Sequence, residues 1–164
     1  MVKIKVIFLD VDGVLNYEKC PYKVQGIYFV DDEKIRLLKR IIDATDAKVV
    51  LSSTWRNGRF LKDESPRECK LFYKLKYKLE EFDIHFLSYT PVNHYSTRAY
   101  RGDEIKQWLD NWKGDIVESF IILDDDSDMN PYMDRLIQTS WYKGLTERDV
   151  EKSIKMLNEC SEMA

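Results

Sequence analysis

Residues 4–15 read IKVIFLDVDGVL, and this stretch decides the fold. Its first half is a nearly continuous apolar run, which is typical of a strand buried on both faces of a parallel sheet. Its second half becomes acidic at Asp10 and Asp12 and then reaches Gly13, a residue that permits a sharp turn. The stretch therefore predicts a core strand over residues 4–10 that delivers carboxylates to one edge of a sheet.

Outward from this stretch, short apolar runs alternate with segments of helical period. Further strands are predicted over residues 48–52, 84–88 and 120–124, with a weaker one over 136–140. Amphipathic helices are predicted over residues 31–42, 73–82, 103–112 and 147–157. This alternation indicates an α/β fold built on a parallel sheet. A chain of 164 residues suits a single domain spanning residues 1–164.

Composition restricts the class of protein. With 44% hydrophobic and 13% aromatic residues, the chain is too apolar for a disordered segment. Its net charge of −3 gives no general attraction to nucleic acid or to a membrane surface. No apolar run approaches the length of a membrane span, and the N-terminus shows no cleavage site of a signal peptide. Cys20, Cys69 and Cys160 are odd in number and widely spaced, so we expect neither disulfides nor zinc, and a cytoplasmic location.

A second acidic cluster, DDDSD at residues 124–128, follows the strand predicted over residues 120–124. Ligands of open α/β sheets bind at the carboxyl ends of the strands, where both clusters should meet. Several carboxylates gathered there repel one another unless a cation lies between them, and oxygen ligands favour Mg²⁺ over zinc or copper. A calcium loop is excluded because Met129 and Arg135 stand where that loop requires Gly and Glu.

A third strand end, VVLSSTWR at residues 49–56, offers hydroxyl groups and Arg56. These groups suit a phosphoryl oxygen, although hydroxyls after a strand are also typical of helix caps. Arg101 stands at the start of a predicted helix, where a lone arginine is usually surface charge. Neither feature decides a function by itself.

Together, DVDGVLN, VVLSSTWR, the Arg101 region and FIILDDDSD resemble the haloacid dehalogenase-like (HAD-like) phosphatase superfamily in order and approximate spacing, from about Ile4 to Leu157. SSTWR and DDDSD resemble the compact HAD domains of RNA-repair proteins and, more distantly, the phosphatase domain of polynucleotide kinase-phosphatase. The resemblance implies a Rossmann-like three-layer α/β/α sandwich and a Mg²⁺-dependent phosphatase.

The resemblance also implies roles for the acidic residues. Asp10 matches the nucleophile that forms an aspartyl-phosphate, and Asp12 matches the general acid and base. Magnesium would be held by Asp10, the backbone carbonyl of Asp12, and Asp125, with Asp124 as the next choice. An acid at Asp12 argues against the dehalogenase branch, because a halide leaving group needs no proton. Asp126 and Asp128 are left open between metal support and capping of the following helix.

The resemblance implies phosphate-binding residues as well. Ser52 matches the hydroxyl that binds the phosphoryl group, with Ser53 as its alternative. Arg101 matches the basic residue, with Lys106 as its alternative. Further contacts to substrate are expected from Ser53, Arg56 and Arg98.

The segments before and after the second strand, residues 13–47 and 55–83, are too short for a sizeable cap domain, so we expect an open site. An open site admits a phosphorylated nucleic-acid end or a phosphoprotein. Residues 56–78 carry eight Lys or Arg against three acidic residues, interleaved with aromatic residues that could stack on bases. The alternative is an ordinary helix with a solvated basic face and a core face of Leu71, Leu75 and Leu79. Tyr95, Arg98 and Tyr100 are better placed to meet a substrate, although they too can be plain surface.

Two other functions remain open from the sequence. A nucleotidase-like phosphatase would close the flap at residues 17–29 over a small substrate. A non-catalytic interaction module would retain the fold, although the presence of both Asp10 and Asp12 argues against it. The sequence identifies no membrane partner, and it leaves the oligomeric state undetermined. Trp108, Trp112 and Trp141 suit either core or interface positions.

Overall fold

A computed structural model of the chain describes residues 2–24, 26–60, 65–93 and 100–159. In chain order the elements are β1 (Lys3–Leu9), β2 (Lys23–Val24), β3 (Ile27–Tyr28), α1 (Asp32–Thr45), β4 (Lys48–Leu51), a 3₁₀ helix (Thr54–Arg59), α2 (Pro66–Glu80), β5 (Phe86–Tyr89), α3 (Arg101–Asn111), β6 (Ile116–Asp124), a short 3₁₀ helix (Met133–Arg135), β7 (Leu136–Gln138) and α4 (Glu147–Glu159). The predicted alternation of strands and helices is confirmed.

The central sheet has five strands in the order β5-β4-β1-β6-β7, and every neighbouring pair is parallel. From β1 the chain builds the sheet outward through β4 and β5, then returns to place β6 on the other side of β1. This reversal makes the carboxyl end of β1 the switch point of the sheet, where open α/β folds bind ligands.

Two apolar layers cover the two faces of the sheet. Ile7 and Leu9 of β1 pack in one layer with buried residues of α1, α2 and α4. Val6 and Phe8 point to the opposite face and pack with Trp108 of α3. The strand alternation thus produces the Rossmann-like three-layer α/β/α sandwich that the resemblance implies.

Several element boundaries differ from the prediction, most of all the starts of α2 and β6. Helix α2 begins at Pro66 and not at residue 73. The prediction missed its first turn because that turn is polar and exposed and carries no apolar stripe. Strand β6 begins at Ile116, earlier than residue 120, because Lys3 of β1 pairs with Ile116 although the intervening segment is not apolar throughout. Strand β5 ends at Tyr89, one residue later than predicted.

The connections near the switch point are small. The segment after β1 contains the antiparallel hairpin β2-β3, and the described part of the segment after β4 contains one 3₁₀ helix before α2. Within the described ranges neither amounts to a cap domain, as predicted. None of the described helices is long and apolar enough to cross a membrane.

Candidate active site

Polar side chains follow adjacent strands at the switch point. Leu9 pairs with Leu51 on one side and Leu123 on the other. The next residues, Asp10, Ser52 and Asp124, therefore lie at one edge of the sheet. The main chain fixes this alignment, because Asp10 N donates to the Leu123 carbonyl and Ser52 N donates to the Leu9 carbonyl.

Three carboxylates converge at this edge. One oxygen each from Asp10, Asp124 and Asp125 lies within 4.8 Å of the others. Asp10 and Asp124 are buried, and Asp125 is half-buried. The sequence predicted these acids as metal ligands, and the structure brings all three side chains together.

Burial dominates the electrostatics of Asp10. Removal of the carboxyl from water raises its pKa to about 6; Arg101 opposes this shift, and the nearby charges of Asp12 and Asp125 reinforce it. The Arg101 guanidinium approaches to 4.0 Å between Nη1 and Asp10 Oδ1. Asp10 is therefore a desolvated carboxyl beside a single fixed cation.

The pKa of Asp124 is raised further than that of Asp10. Burial and then the charge of Asp10 raise the pKa of Asp124 to about 9, and burial also raises the pKa of Asp125. Three carboxylates this close are costly to ionise together without a cation. Because the cluster offers only hard oxygen ligands, it fits Mg²⁺.

The turn at Gly13 packs directly against this cluster. Gly13 has a φ of +80°, and a Cβ atom there would lie 2.3 Å from Asp125 Oδ2. The Gly13 carbonyl accepts a 2.6 Å hydrogen bond from Thr139 Oγ1, at the end of β7. Any larger residue would both strain the backbone and displace a carboxylate.

The Asp12 carboxylate is held at both oxygens. Asn16 Nδ2 donates to Oδ1 at 2.9 Å, and Trp55 Nε1 donates to Oδ2 at 3.1 Å. Asn16 also accepts from Gly13 N through its Oδ1, which ties the carboxylate to the turn. The sequence analysis assigned neither Asn16 nor Trp55 a role in holding Asp12. Both residues stand in the quoted motifs, but a hydrogen bond between residues 43 positions apart leaves no signal in the sequence.

The hydroxyls of Ser52 and Ser53 have different roles. Ser52 Oγ is buried and has no hydrogen-bond partner among the described residues. Ser53 Oγ accepts from Trp55 N and caps the 3₁₀ helix. Ser52 is therefore the better candidate for binding a phosphoryl oxygen, while the capping interpretation applies to Ser53.

Arg101 is fixed at the N-terminus of α3. Its backbone N donates to Asp128 Oδ2 at 3.0 Å, and the next N–H, of Gly102, donates to the Asp128 carbonyl. A Cβ atom at Gly102 would lie 2.1 Å from the carbonyl oxygen of Asn130, so the helix approaches this loop closely. Within the described part of the chain, Arg101 Nη1 is buried without a hydrogen bond.

These contacts narrow the alternatives at the second acidic cluster. Asp128 caps α3, a helix that precedes it in the chain, whereas the capping alternative left open above concerned the following helix. Asp126 is exposed and accepts from Ser127 N.

Arg101, and not its alternative Lys106, lies beside Asp10. Lys106 is exposed and pairs with Asp110 at 2.7 Å.

Arg56 requires a correction. Its guanidinium donates to the carbonyls of Ser52, Ser53, Thr90 and Pro91 and pairs with Glu104 Oε2 at 3.1 Å. A guanidinium has five N–H donors, so none remains for a substrate oxygen. Burial lowers the pKa of Arg56 to about 10, which leaves it charged at neutral pH. We reassign Arg56 from substrate binding to positioning.

The structure describes only some of the remaining residues that the sequence predicts to contact substrate. Arg98 and Tyr95 lie outside the described residues. Tyr100 is exposed immediately before α3. In α2, Leu71, Leu75 and Leu79 are buried, as the ordinary-helix interpretation requires.

The comparisons with known proteins agree with this geometry. A family model described as the HAD domain in Swiss Army Knife RNA repair proteins matches residues 6–150, a range that contains all the site residues discussed above. Comparison with curated proteins finds no match. The chain therefore belongs to the family of HAD domains in Swiss Army Knife RNA repair proteins, within the HAD-type phosphatase superfamily.

Proposed function

We propose that the protein is a Mg²⁺-dependent phosphomonoester hydrolase that works through an aspartyl-phosphate on Asp10 and acts on the terminal phosphate of a nucleic acid. The observation that carries this proposal is the convergence at one sheet edge of three carboxylates, the Arg101 guanidinium and an unpartnered Ser52 hydroxyl. Anionic and phosphate-binding groups meet there in the arrangement that phosphoryl transfer needs.

Asp10 is the nucleophile in this reaction. Its carboxylate oxygen attacks phosphorus, a new P–O bond forms to Asp10, and the P–O bond to the leaving oxygen breaks. Ser52 Oγ and Arg101 Nη1 are buried donors without hydrogen-bond partners among the described residues, so they can serve the phosphoryl oxygens as negative charge develops.

Asp12 transfers the proton in both steps of the proposed reaction. It protonates the leaving oxygen in the first step and then removes a proton from the water that attacks the aspartyl-phosphate. This second step releases inorganic phosphate and regenerates Asp10. Asn16 and Trp55 hold the carboxyl in one orientation, which supports its use in both steps.

Asp10, Asp124, Asp125 and the carbonyl of Asp12 are the groups that would hold magnesium. When bound, the ion would offset the negative charge of the carboxylates and of the phosphate. The raised pKa values of Asp10 and Asp124, caused chiefly by burial and secondly by neighbouring charges, support this assignment, because a cation stabilises the ionised carboxylates in a buried site.

The choice of substrate rests on the family and on the small connections around the site. The matched family takes its description from RNA repair proteins. Among the described residues the connections are only the hairpin β2-β3 and the 3₁₀ helix. A site with such small connections admits the end of a polymer, whereas a cap domain would enclose a small substrate.

The test is Mg²⁺-dependent phosphate release from oligonucleotides phosphorylated at either terminus, mononucleotides, a phosphopeptide and an aryl phosphate. We expect one oligonucleotide terminus to be hydrolysed in preference to all other substrates. Equal activity on mononucleotides would favour the nucleotidase alternative. If folded protein that binds magnesium released phosphate from none of these substrates, the result would contradict the phosphatase proposal and favour a non-catalytic module.

A further inference from the structure

A small cavity lies between the hairpin β2-β3, the 3₁₀ helix and the first turns of α2. Its volume is about 280 Å³, and its walls are Ile27, Thr54, Trp55, Asn57, Glu68 and Leu71. The volume is near the lower limit of ligand pockets, which suits one ring system better than a whole nucleotide.

The cavity adjoins the group that would protonate the leaving oxygen. Trp55 forms one wall, and its Nε1 donates to Asp12 Oδ2 at 3.1 Å. In the proposed reaction the leaving oxygen must come within hydrogen-bond distance of the Asp12 carboxyl. Trp55 therefore joins the cavity to the carboxyl that would protonate the leaving oxygen.

The walls define the chemistry that fits. Trp55 offers an aromatic surface, and Ile27 and Leu71 add apolar contacts. Asn57 Oδ1 is a buried acceptor without a hydrogen-bond partner among the described residues. Glu68 brings a negative charge, which disfavours a second phosphate. A flat, uncharged ring with an N–H donor satisfies all these groups.

We propose that this cavity binds the base of the nucleotide that carries the terminal phosphate, with the base stacked on Trp55 and an amino group donating to Asn57 Oδ1. This inference rests on the proposed function, and it adds a specificity site to it. The rest of the strand leaves away from Glu68, because its phosphates carry negative charge.

A larger groove of about 540 Å³ between β5 and α3 is the alternative position for the base. It includes Phe60, Trp112 and Asn111, but none of its lining residues contacts Asp12. Its lining residues Ser88 to Thr90 belong to or follow β5, which lies two strands from β1, or about 10 Å at the usual strand spacing. The cavity beside Trp55 is therefore the better position for the base next to the cleaved bond.

The test compares three substrates and two matched variants. The substrates are adenosine monophosphate, the purine riboside monophosphate that lacks the amino group, and acetyl phosphate, which has no base. The variants are Asn57→Leu in the cavity and Asn111→Leu in the larger groove. For the wild type we expect kcat/KM to fall about tenfold when the amino group is removed, since an acceptor is then left unpaired.

Asn57→Leu should abolish this preference and lower the ratio of kcat/KM for adenosine monophosphate to that for acetyl phosphate, whereas Asn111→Leu should change neither. Calorimetric binding of adenosine, with the same two variants, separates the two proposals. If no substrate is hydrolysed but adenosine binding is lost in Asn57→Leu, the proposed function fails and the base site stands. An Asn57→Leu variant with unchanged preference and unchanged adenosine binding would overturn the base site.

Discussion

Asp12 illustrates how single contacts fix the chemistry of this site. A carboxyl that gives a proton to one oxygen and takes a proton from another must keep one orientation through both steps. Here Asn16 donates to one carboxylate oxygen and Trp55 donates to the other. The indole of Trp55 is thus a positioning group for Asp12 as well as a wall of the cavity.

Trp55→Phe tests this positioning role. The substitution keeps the ring but removes the N–H that donates to Asp12 Oδ2. We expect kcat/KM for an alkyl phosphate, which reports the step in which the leaving oxygen departs, to fall about tenfold, part of the ~10²–10⁴ that general acid–base catalysis contributes. The loss should be smaller for an aryl phosphate, because a phenolate leaves without full protonation. Steady-state kinetics over a series of leaving groups measures the difference.

Trp112→Phe is the matched control, since Trp112 Nε1 donates to the carbonyl of Asp115 at an exposed position. Its kinetics should equal those of the wild type. An equal loss of kcat/KM on alkyl and aryl phosphates in Trp55→Phe would contradict a role in orienting the acid.

At the scale of elements, a buried ion pair joins the loop after β4 to helix α3. Arg56 lies in the 3₁₀ helix, and Glu104 lies in the first turn of α3, three residues after Arg101. Since Arg56 also holds the carbonyls of Ser52 and Ser53, it links the loop of the candidate hydroxyl to the helix of the candidate guanidinium. The two groups proposed to bind phosphate are thus held in a fixed relation.

Arg56→Lys should weaken this link while keeping the charge. Lysine cannot reproduce the planar fork of five donors, so buried carbonyls are left unpaired at about 1–3 kcal/mol each. We expect the free energy of unfolding to fall by about 3 kcal/mol, and kcat to fall with it. Urea denaturation and steady-state kinetics measure the two effects.

Arg40→Lys is the control, because Arg40 forms an exposed ion pair with Glu147 on the surface. Its effect should stay below about 1 kcal/mol. If Arg56→Lys were as mild as Arg40→Lys, the linking role of Arg56 would be wrong.

The elements also show what the sequence can predict. Strand β1 and the acids after it follow from periodicity, and the three motifs meet because parallel strands end at one edge. The start of β6 and the first turn of α2 were missed because tertiary pairing and a proline at the helix start outweigh the local apolar pattern. The role of Arg56 was missed because its partner Glu104 lies 48 positions away and pairs only in the folded chain.

At the scale of the whole molecule, folding concentrates negative charge at the switch point. Asp10 and Asp124 have pKa values of about 6 and about 9, raised from the usual 3.8 chiefly by burial. A raised carboxyl pKa means that the folded state binds protons more tightly than the unfolded state. The associated stability is present below about pH 4 and is lost as the pH rises through the folded pKa values.

Metal-free protein should therefore become less stable between pH 5 and pH 8, as measured by thermal unfolding. We expect a decrease of several degrees in Tm, since about 1 kcal/mol moves Tm by about 2–4 °C in a domain of this size. Magnesium should raise Tm more at pH 8 than at pH 5, because it binds the ionised cluster.

Asp124→Asn removes the most strongly shifted group and provides the check. It should raise the Tm of the metal-free protein at pH 8 and reduce both the pH dependence and the effect of magnesium. A Tm of the wild type that rises from pH 5 to pH 8 without magnesium would contradict this electrostatic account.

The central claim is that Asp10 is the nucleophile, and trapping the covalent intermediate tests it most directly. Wild-type protein is mixed with magnesium and substrate, quenched in acid within the first turnover, digested and analysed by mass spectrometry. We predict that the peptide containing Asp10 gains one phosphoryl group, and that Asp10→Asn gives neither this adduct nor phosphate release. Phosphorylation of another residue, or phosphate release by Asp10→Asn at the wild-type rate, would contradict the account.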